Sequence, residues 1–431
     1  MKARPANHRR EIVQTHTCLA CARIVLETYR PLVHFCYQDT GHNNVTKEHP
    51  CHFFVYVRVN NAEGMAAHPS GSTMESIGFS KHGTQKELRK HEVAYPHGFD
   101  PSNNIVIKVH AAAINPVDKG LLAGDYKMVI PVASFPHVIS YDVAGVVEEA
   151  DLEGKFSVGQ PVFARLFGNE KDGKKTPWYR GAMAEYCVAD TAHAVLMPEH
   201  LSFEQAASTP LVGLIALQVL NSAGLKEGDS IFISGGAGGV GTMAIQLAKH
   251  VFKAGLVVTT ASKGEKEALC QSLGADVVLD HNETQFHEVY GGSNEEKFDV
   301  CFDTTGESLQ MAQIIKQGGR ILTIAGMATL EELRRVGGTA WILKLFVKPR
   351  AKRKEFKAAN AVGASWDYLF LSPSEEDLTT LAKHLDHGAI KPVLDGVWPF
   401  HSEDDQTGWR GAFNRSFSGR AMGKCVISME S

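Results

Sequence analysis

The sequence predicts an α/β protein with a doubly wound parallel sheet and a second, mostly β region. Strand-like and helix-like segments alternate over residues 206–388, which is the pattern of a parallel sheet covered by helices. A glycine cluster stands between a strand-like segment and the next helix, at residues 234–241. Residues 104–166 instead contain β-rich segments separated by glycine turns. At 431 residues, the chain is long enough for two or three domains.

The composition narrows the class of protein. The formal net charge is -4, and 44% of the residues are hydrophobic and 21% are charged, as in ordinary soluble proteins. No stretch reaches the roughly 18 apolar residues that a membrane span needs. The basic run KPRAKRKEFK, at residues 348–357, is more typical of a solvated helix face than of a site for an anionic surface. We therefore expect no nucleic-acid partner and no membrane span.

Residues 1–73 are predicted to form a disordered extension. They show neither helical nor strand periodicity, and they end in the turn-rich segment NNAEGMAAHPSGS, which is typical of a linker. The leading residues contain arginines and few acids, as a mitochondrial presequence does, but Glu11, Glu27 and the lack of serine weaken that interpretation. A cytoplasmic location is predicted, with a mitochondrial one as the alternative.

A cysteine pair in this extension matches half of a zinc finger. Cys18-x-x-Cys21 precedes His34, but His42 lies outside the three-to-five-residue spacing that a second histidine ligand needs. We therefore predict no metal site here. Four cysteines stand alone in the rest of the chain, as expected in a reducing compartment. They are Cys187, Cys270, Cys301 and Cys425.

The elements predicted from residue 104 onward follow from local composition and periodicity. Runs of β-branched and aromatic residues indicate strands, whereas apolar residues three or four apart indicate helices. The predicted strands are 104–110, 142–150, 160–166, 230–234, 256–260, 276–280, 297–303, 320–326 and 367–372. The predicted helices are 204–222, 239–252, 264–273, 307–316 and 374–386. The later segments IKPVLDGVWPF and GKCVISM return to β character.

The stretch SGGAGGVGTMAIQLAKH, at residues 234–250, contains a glycine motif. Gly236, Gly238 and Gly241 fit the pattern G-x-G-x-x-G, directly after a strand and at the start of a helix. Gly236 permits a tight turn, Gly238 lets the backbone approach a pyrophosphate, and Gly241 lets helix and strand pack closely. An ATP-binding P-loop is disfavoured because Thr242, not lysine, follows Gly241. The predicted cofactor-binding loop is Gly236, Ala237, Gly238, Gly239, Val240 and Gly241.

The end of the second strand predicts which dinucleotide binds. NAD-selective chains usually place a carboxylate there for the ribose 2′-hydroxyl, but this strand ends TTASKGEK. Ser262 and Lys263 offer a hydroxyl and an ammonium to a 2′-phosphate instead. The prediction is therefore NADP(H), and the alternative is that Lys263 is simply a solvated loop residue.

With these residues placed, residues 74–431 resemble the medium-chain dehydrogenase/reductase superfamily, and within it the zinc-free quinone oxidoreductase branch. The matching motifs beside the glycine loop include AAAINPVDKG, YDVAGVVEE, GAMAEYCVA, LSFEQAASTPLVGLIALQVL, QSLGADVVLDH, FDTTGESL, GGRILTIAG and SGRAMGKCVI. The resemblance implies a GroES-like catalytic domain from residues 74–205 and 389–431. It implies an inserted Rossmann dinucleotide-binding domain at 206–388. It adds three residues to the cofactor-binding set, namely His281, Thr304 and Ala325.

The resemblance also implies which residues lie at the reacting centre. Where zinc-dependent relatives carry metal ligands, this chain has Asn115, Tyr141 with Asp142, and Leu211, so no zinc is expected. In quinone oxidoreductases the asparagine and a tyrosine of a G-x-Y segment lie near the nicotinamide, and Asn115 and Tyr126 match them. Tyr141 is an additional phenol. The predicted catalytic residues are thus Asn115, Tyr126 and Tyr141, and the alternative for both tyrosines is a structural role.

The resulting prediction is an NADPH-dependent, metal-free oxidoreductase that reduces quinones or α,β-unsaturated carbonyl compounds. Hydride delivery to such polarised acceptors needs no Lewis acid, whereas alcohol oxidation without one is disfavoured. The alternative is a dinucleotide-binding sensor or interaction protein with little turnover. Ile215 favours it, because this residue replaces a threonine that the family places near the nicotinamide. The expected partner is a small-molecule substrate, and a homodimer is left open.

Overall fold

The computed structural model describes residues 71–430 with several gaps. The gaps are 98, 128–131, 133, 167–169, 172–173, 176–180, 293–295, 327 and 329–347, and only the backbone of 170–171 and 174–175 is described. The predictions for residues 1–70, including the Cys18-x-x-Cys21 pair, lie outside the described residues. The first strand begins at Thr73, one residue before the predicted domain boundary.

The β-rich region is built from two stretches of the chain. Its first stretch contains β1 (Thr73–Phe79), β2 (Arg89–Ala94), β3 (Asn104–Ala113), α1 (Pro116–Ala123), β4 (His137–Val138), β5 (Asp142–Glu149), β6 (Pro161–Arg165), β7 (Glu170–Lys171), β8 (Lys174–Lys175), β9 (Tyr186–Asp190) and β10 (Ala194–Leu196). The second stretch adds β17 (Leu394–Pro399), β18 (Lys424–Ser428) and, between them, helix α10 (Trp409–Phe417). Most of these strands form two sheets with a shared apolar core, and β7 and β8 pair with each other in a separate two-stranded sheet.

The larger of these sheets has seven strands and carries the predicted catalytic segments. Its order is β10-β6-β5-β3-β18-β17, and β9 also pairs with β3. Strand β3 lies antiparallel to both β5 and β18, with Ala113 opposite Asp142 on one side and Val426 on the other. The smaller sheet has the order β2-β1-β4. Residues far apart in sequence therefore meet at the end of β3.

Between these two stretches the chain forms a six-stranded parallel sheet. The strands are β11 (Ser230–Ile233), β12 (Leu256–Thr260), β13 (Val277–Leu279), β14 (Phe298–Asp303), β15 (Ile315–Thr323) and β16 (Ser365–Tyr368). The helices are α2 (Phe203–Ala207), α3 (Pro210–Ala223), α4 (Gly239–Gln246), α5 (Glu265–Ser272), α6 (Phe286–Tyr290), α7 (Ser308–Ile314), α8 (Lys354–Ala361) and α9 (Glu375–Asp386). The order β13-β12-β11-β14-β15-β16 is that of a doubly wound dinucleotide-binding sheet. The predicted fold class is confirmed.

Several element boundaries differ from the prediction for clear reasons. The single helix predicted at 204–222 is two helices, α2 and α3. Proline is favourable in a helix only in its first turn, and α3 begins at Pro210. Strand β15 begins at Ile315 instead of 320, since Ile315 already pairs with Phe298 ahead of a register shift. Helix α4 continues into a π-helical turn at Leu247–Val251.

The basic run at 348–357 is not only a solvated helix face. Arg350 forms an ion pair with Asp367 at 2.5 Å, and the Arg353 guanidinium lies 5.6 Å from the centre of the Trp366 ring. These arginines therefore hold the start of α8 against β16. Among the described helices, none is long and apolar enough to cross a membrane.

Candidate active site

The glycine loop connects β11 to α4, as predicted, but its turn is made by a different glycine. Gly235 has a left-handed backbone with φ of +66°, whereas the sequence predicted Gly236 for this role. Gly236 is needed for close packing instead, because a Cβ on it would lie 2.3 Å from Thr259 Oγ1. A Cβ on Gly241 would lie 2.3 Å from the Gly235 oxygen, so the first turn of α4 packs closely against the glycine loop itself.

Gly238, the second glycine of the motif, has open space beside its Cα atom. A Cβ on Gly238 would meet only one other heavy atom within 4 Å, the Gly235 oxygen at 3.3 Å. Gly238 is also the residue that precedes the first turn of α4, where backbone N–H groups lack partners within the helix. Open space at the N-terminal end of a helix fits the pyrophosphate of a dinucleotide.

The remaining predicted cofactor residues lie at the same edge of the parallel sheet. Ser262 and Lys263 follow β12, His281 follows β13, Thr304 follows β14 and Ala325 follows β15. Ligands of such sheets bind at the carboxyl ends of the strands, where the strand order reverses. Here the reversal lies between β11 and β14, beside the glycine loop. The structure thus brings the predicted cofactor residues to one edge, while their contact with a cofactor stays a prediction.

A group of exposed and half-buried polar residues surrounds the end of β12. This strand-tip cluster comprises Ser262, Lys263, Asp280, Asn282 and Glu283. The Lys263 ammonium is paired with Glu283, and both side chains are mostly exposed, at 63% and 57%. The Lys263 backbone N–H donates to Asp280 at 3.4 Å, and Asn282 Nδ2 donates to Ser262 Oγ at 3.4 Å. Sequence reasoning missed Glu283, which comes from the turn after the neighbouring strand.

The three places that hold metal ligands in zinc-dependent relatives meet at one carboxylate. Asn115 Nδ2 donates to Asp142 Oδ2 at 2.8 Å, and the Leu211 backbone N–H donates to Asp142 Oδ1 at 3.2 Å. The third place, Tyr141, precedes Asp142 in the chain. Asp142 is completely buried. Sequence reasoning named Asp142 only as a position and missed that its side chain organises this site.

Two cations and a second carboxylate complete a buried charge cluster. The cluster comprises Asn115, Asp118, Asp142, Arg165 and Lys424. Lys424 Nζ donates to the Ile114 oxygen at 2.8 Å and to Asn115 Oδ1, and it lies 3.7 Å from Asp142 Oδ2. Arg165 Nε lies 3.7 Å from Asp142 Oδ1. Two carboxylates and two cations therefore share one interior, so their formal charges balance.

Asp118 anchors this cluster to helix α1. It accepts hydrogen bonds from the backbone N–H of Asn115 at 2.7 Å and of Ser140 at 3.2 Å. Burial raises the pKa of Asp118 to about 7, and the Asn115 N–H and the two cations act in the opposite direction. Burial likewise lowers the pKa of Lys424, opposed by the two carboxylates. Burial thus disfavours the charged forms of Asp118 and Lys424, and their partners in the cluster favour them.

This arrangement does not fit a zinc ion. Leu211 offers no ligand atom, and the Asn115 oxygen already accepts a hydrogen bond from the Lys424 ammonium. A cation bound at that oxygen would have to displace another cation. Among the described residues, no group of three or more His, Cys, Asp and Glu side chains is arranged to hold a metal ion. The absence of zinc stays a prediction, which elemental analysis of the purified protein tests.

Tyr141 lies inside the protein. Its hydroxyl is 2.6 Å from His137 Nε2, and the Arg165 guanidinium lies 5.3 Å from the centre of its ring. Burial raises the pKa of Tyr141 well above its usual value and lowers the pKa of His137 to about 4. The tyrosine hydroxyl and the histidine are therefore both neutral at pH 7, and they hydrogen-bond each other.

Tyr126 has a different environment. Its side chain is 38% exposed, and its ring lies against helix α1 so closely that a Cβ on Gly120 would be 2.2 Å from Tyr126 Cε2. Burial of part of the ring raises the pKa of Tyr126 above its usual value. This hydroxyl therefore stays protonated at neutral pH and can donate a hydrogen bond.

The glycine loop and the buried charge cluster adjoin each other at the start of β18. The Gly423 N–H donates to the Ala237 oxygen at 2.9 Å, and Gly423 and Gly238 form a parallel bridge. A Cβ on Gly239 would lie 3.0 Å from Lys424 Cδ. Lys424, in the segment SGRAMGKCVI, was not among the site residues predicted from the sequence. The signal that could have identified it is a lysine in an otherwise apolar strand.

Known protein families match both the β-rich region and the region of the parallel sheet. The family described as Alcohol dehydrogenase GroES-like domain matches residues 101–199. The family described as Zinc-binding dehydrogenase matches residues 239–344. The second match begins inside the glycine loop, at Gly239, while the first includes Asn115, Asp142 and Arg165.

Individual proteins match over most of the chain. The chain is 33% identical over 358 residues to 2-methylene-furan-3-one reductase from Solanum lycopersicum, covering 83% of this chain and 79% of that protein. It is 31% identical to the NADPH-dependent alkenal/one oxidoreductase, chloroplastic, of Arabidopsis thaliana, covering 75% and 72%. The solved quinone oxidoreductase of Coxiella burnetii aligns with a TM-score of 0.66 and 27% identity, covering 83% of this chain and 100% of that one. The chain therefore belongs to the medium-chain dehydrogenase/reductase superfamily of oxidoreductases.

Proposed function

We propose that the protein is an NADPH-dependent oxidoreductase that transfers hydride to a quinone or to the β-carbon of an α,β-unsaturated carbonyl compound. The observation that carries this proposal is the contact between the glycine loop and the buried charge cluster through Gly423 and Lys424. Through this contact, the loop proposed to bind the dinucleotide lies next to the buried charge cluster that contains Asn115. The names of the tomato and Arabidopsis relatives support an enone acceptor, and the name of the Coxiella protein supports a quinone.

The cofactor is NADP(H). When bound, it supplies the hydride. The glycine loop would hold its pyrophosphate, and Ser262 and Lys263 would bind its 2′-phosphate, because no carboxylate follows β12 directly. His281, Thr304 and Ala325 would line the same edge of the sheet.

Tyr126 is the proposed hydrogen-bond donor to the acceptor. Hydride addition to a β-carbon moves an electron pair to the carbonyl oxygen, and a donor aimed at that oxygen stabilises the transition state. The Tyr126 hydroxyl is protonated and part of its side chain is exposed, whereas the Tyr141 hydroxyl is buried against His137. We therefore assign the donor role to Tyr126. The catalytic role predicted for Tyr141 stays a prediction that its own variant tests.

The decisive experiment follows NADPH oxidation by the purified full-length chain with an alkenal and with a benzoquinone. We expect turnover with at least one of them. The Tyr126→Phe variant should lose roughly 10²- to 10³-fold in turnover on the alkenal while its NADPH affinity stays nearly unchanged. A Gly120→Ala variant, whose new methyl group displaces the Tyr126 ring, should lower turnover in the same way.

The control for this experiment is Tyr141→Phe, which should keep turnover. If Tyr141→Phe loses turnover and Tyr126→Phe does not, the donor is Tyr141. If both variants keep full turnover, the proton comes from water or from a cofactor hydroxyl, and both tyrosine assignments fall.

The second candidate is a dinucleotide-binding sensor or interaction protein with little turnover. Ile215 favours it, because this residue is buried in helix α3 and brings no hydroxyl to the position. NADPH binding without oxidation by either acceptor would establish this candidate and refute the enzyme.

A cytoplasmic location and a homodimer also stay predictions. The Arabidopsis relative is chloroplastic by name, so a location in an organelle is an alternative for this chain. Cell fractionation tests the location, and light scattering of the purified protein tests the oligomeric state.

A further inference from the structure

Lys424 lies where the glycine loop and the buried charge cluster meet. Its side-chain stem lies beside Gly239, since a Cβ on that glycine would be 3.0 Å from Lys424 Cδ. Its ammonium contacts Asn115 Oδ1 and the Ile114 oxygen. One side chain therefore contacts both the proposed cofactor loop and the predicted catalytic asparagine.

Lys424 and Asp142 both form hydrogen bonds with the side-chain amide of Asn115. The amide nitrogen donates to Asp142 at 2.8 Å and to the Ala113 oxygen at 3.4 Å, while the amide oxygen accepts from Lys424. Reversing the amide would turn its N–H groups toward the ammonium and its oxygen toward the carboxylate. Both contacts would then be repulsive, so the two charges fix one orientation of the amide.

The backbone beside Lys424 is tied to the loop as well. Gly423 donates to the Ala237 oxygen, and the Lys424 N–H donates to the Val393 oxygen at 2.9 Å. Gly423 has a φ of +81°, and a Cβ on it would lie 2.2 Å from the Val393 oxygen. The segment that leads into Lys424 is therefore held in one conformation against the loop.

We propose that Lys424 is a positioning residue that couples the glycine loop to Asn115. Its ammonium fixes the orientation of the Asn115 amide, while its stem and the adjoining backbone support the glycine loop. A change in the loop therefore alters the position of Asn115, and a change at Asn115 alters the loop. The effect of this coupling on hydride transfer rests on the proposed function. The coupling itself is a property of the protein without its cofactor.

Hydrogen exchange of the full-length chain tests the coupling directly. In Lys424→Met, which keeps the stem and removes the charge, we expect amides of residues 115–118 and of 236–241 to exchange roughly 10-fold faster. The control is Lys249→Met, which removes another ion-paired lysine. Lys249 lies in the π-helical turn after the C-terminal end of α4, 2.7 Å from Asp276. This control should leave exchange in both segments unchanged.

Faster exchange in only one of the two segments, or in neither, would overturn the proposal. If Lys424→Met does not fold, Lys424→Gln is measured instead, because it loses the charge but still donates a hydrogen bond. The same two-segment increase is then expected, and its absence again overturns the coupling.

A double-mutant cycle on turnover tests whether Lys424 acts through Asn115. Asn115→Ala and Lys424→Met should each lower kcat, and the double variant should be no worse than the poorer single variant. A merely structural lysine predicts losses that multiply. If the wild type binds NADPH but turns over no acceptor, the proposed function fails, and hydrogen exchange alone still decides the coupling.

Discussion

The buried charge cluster and the strand-tip cluster contain the same kinds of groups in opposite surroundings. Each combines carboxylates with a lysine and an asparagine. In the buried cluster, Asp142 is completely buried and contacts Asn115, Leu211 and two cations. In the strand-tip cluster, the side chains of Lys263 and Glu283 are mostly exposed and contact each other.

This difference decides what each cluster can do. Exposed ions keep most of their hydration, so the Lys263–Glu283 pair can exchange partners at little cost when an anionic ligand arrives. Buried ions have lost their hydration, so removing one leaves its partner without compensation. The buried cluster therefore suits a fixed geometry, and the strand-tip cluster suits a reversible contact. The following predictions test this contrast.

The largest effect is expected for Asp142→Asn. This change leaves the buried Lys424 and Arg165 with one carboxylate instead of two, and breaking a buried pair typically costs about 3 to 5 kcal/mol of unfolding free energy. Denaturant unfolding measures it. The control is Glu375→Gln, which breaks a surface pair with Lys155 and should cost about 1 kcal/mol or less. Equal losses in the two variants would show that burial does not distinguish the pairs.

The next effect concerns the pH dependence of stability at His137. Burial lowers its pKa from 6.5 to about 4, so between these values the unfolded chain binds a proton that the folded protein does not. The stabilisation is complete above pH 6.5 and is lost as the pH falls through about 4, for a total of about 3 kcal/mol. His137→Phe should remove this dependence. The exposed His281, changed to Gln, should leave it intact.

The smallest effect on stability is expected in the strand-tip cluster. Lys263→Met should leave the thermal midpoint nearly unchanged but weaken NADPH binding roughly 10-fold, because a charge-assisted contact to the 2′-phosphate is lost. NADH binding should not change. Glu283→Gln should strengthen NADPH binding, since it releases Lys263 from its partner. Titration with both cofactors measures this, and equal changes for NADPH and NADH would exclude a phosphate contact at Lys263.

Local patterns predicted the parts of this molecule that local sequence determines. The parallel strands and the glycine loop follow from periodicity and from G-x-G-x-x-G, and Pro210 marked the break between α2 and α3 that the prediction overlooked. The family resemblance, and not a local pattern, identified Asn115, Tyr141 with Asp142, and Leu211 as positions of one site.

What the sequence could not provide was the direction of side chains and the pairing of distant ones. Lys424 reaches Asn115 across 309 positions of the chain, so no local pattern reveals the contact. Glu283 reaches Lys263 from the turn after another strand. The Tyr141 hydroxyl bonds His137 because β4 and β5 flank the same turn, and the motif alone does not specify this direction.

Strand β18 lies between β3 and β17, so the sheet that carries Asn115 stays divided until residues 424–428 have left the ribosome. The parallel sheet is complete once β16 has emerged, at Tyr368. During the interval, β9 already pairs with residues 104–108 of β3, while residues 111–113 lack their β18 partners. This short stretch of unpaired edge is a site for faulty pairing. The same order of synthesis lets the parallel sheet form before Lys424 is made, the residue that contacts both the glycine loop and Asn115.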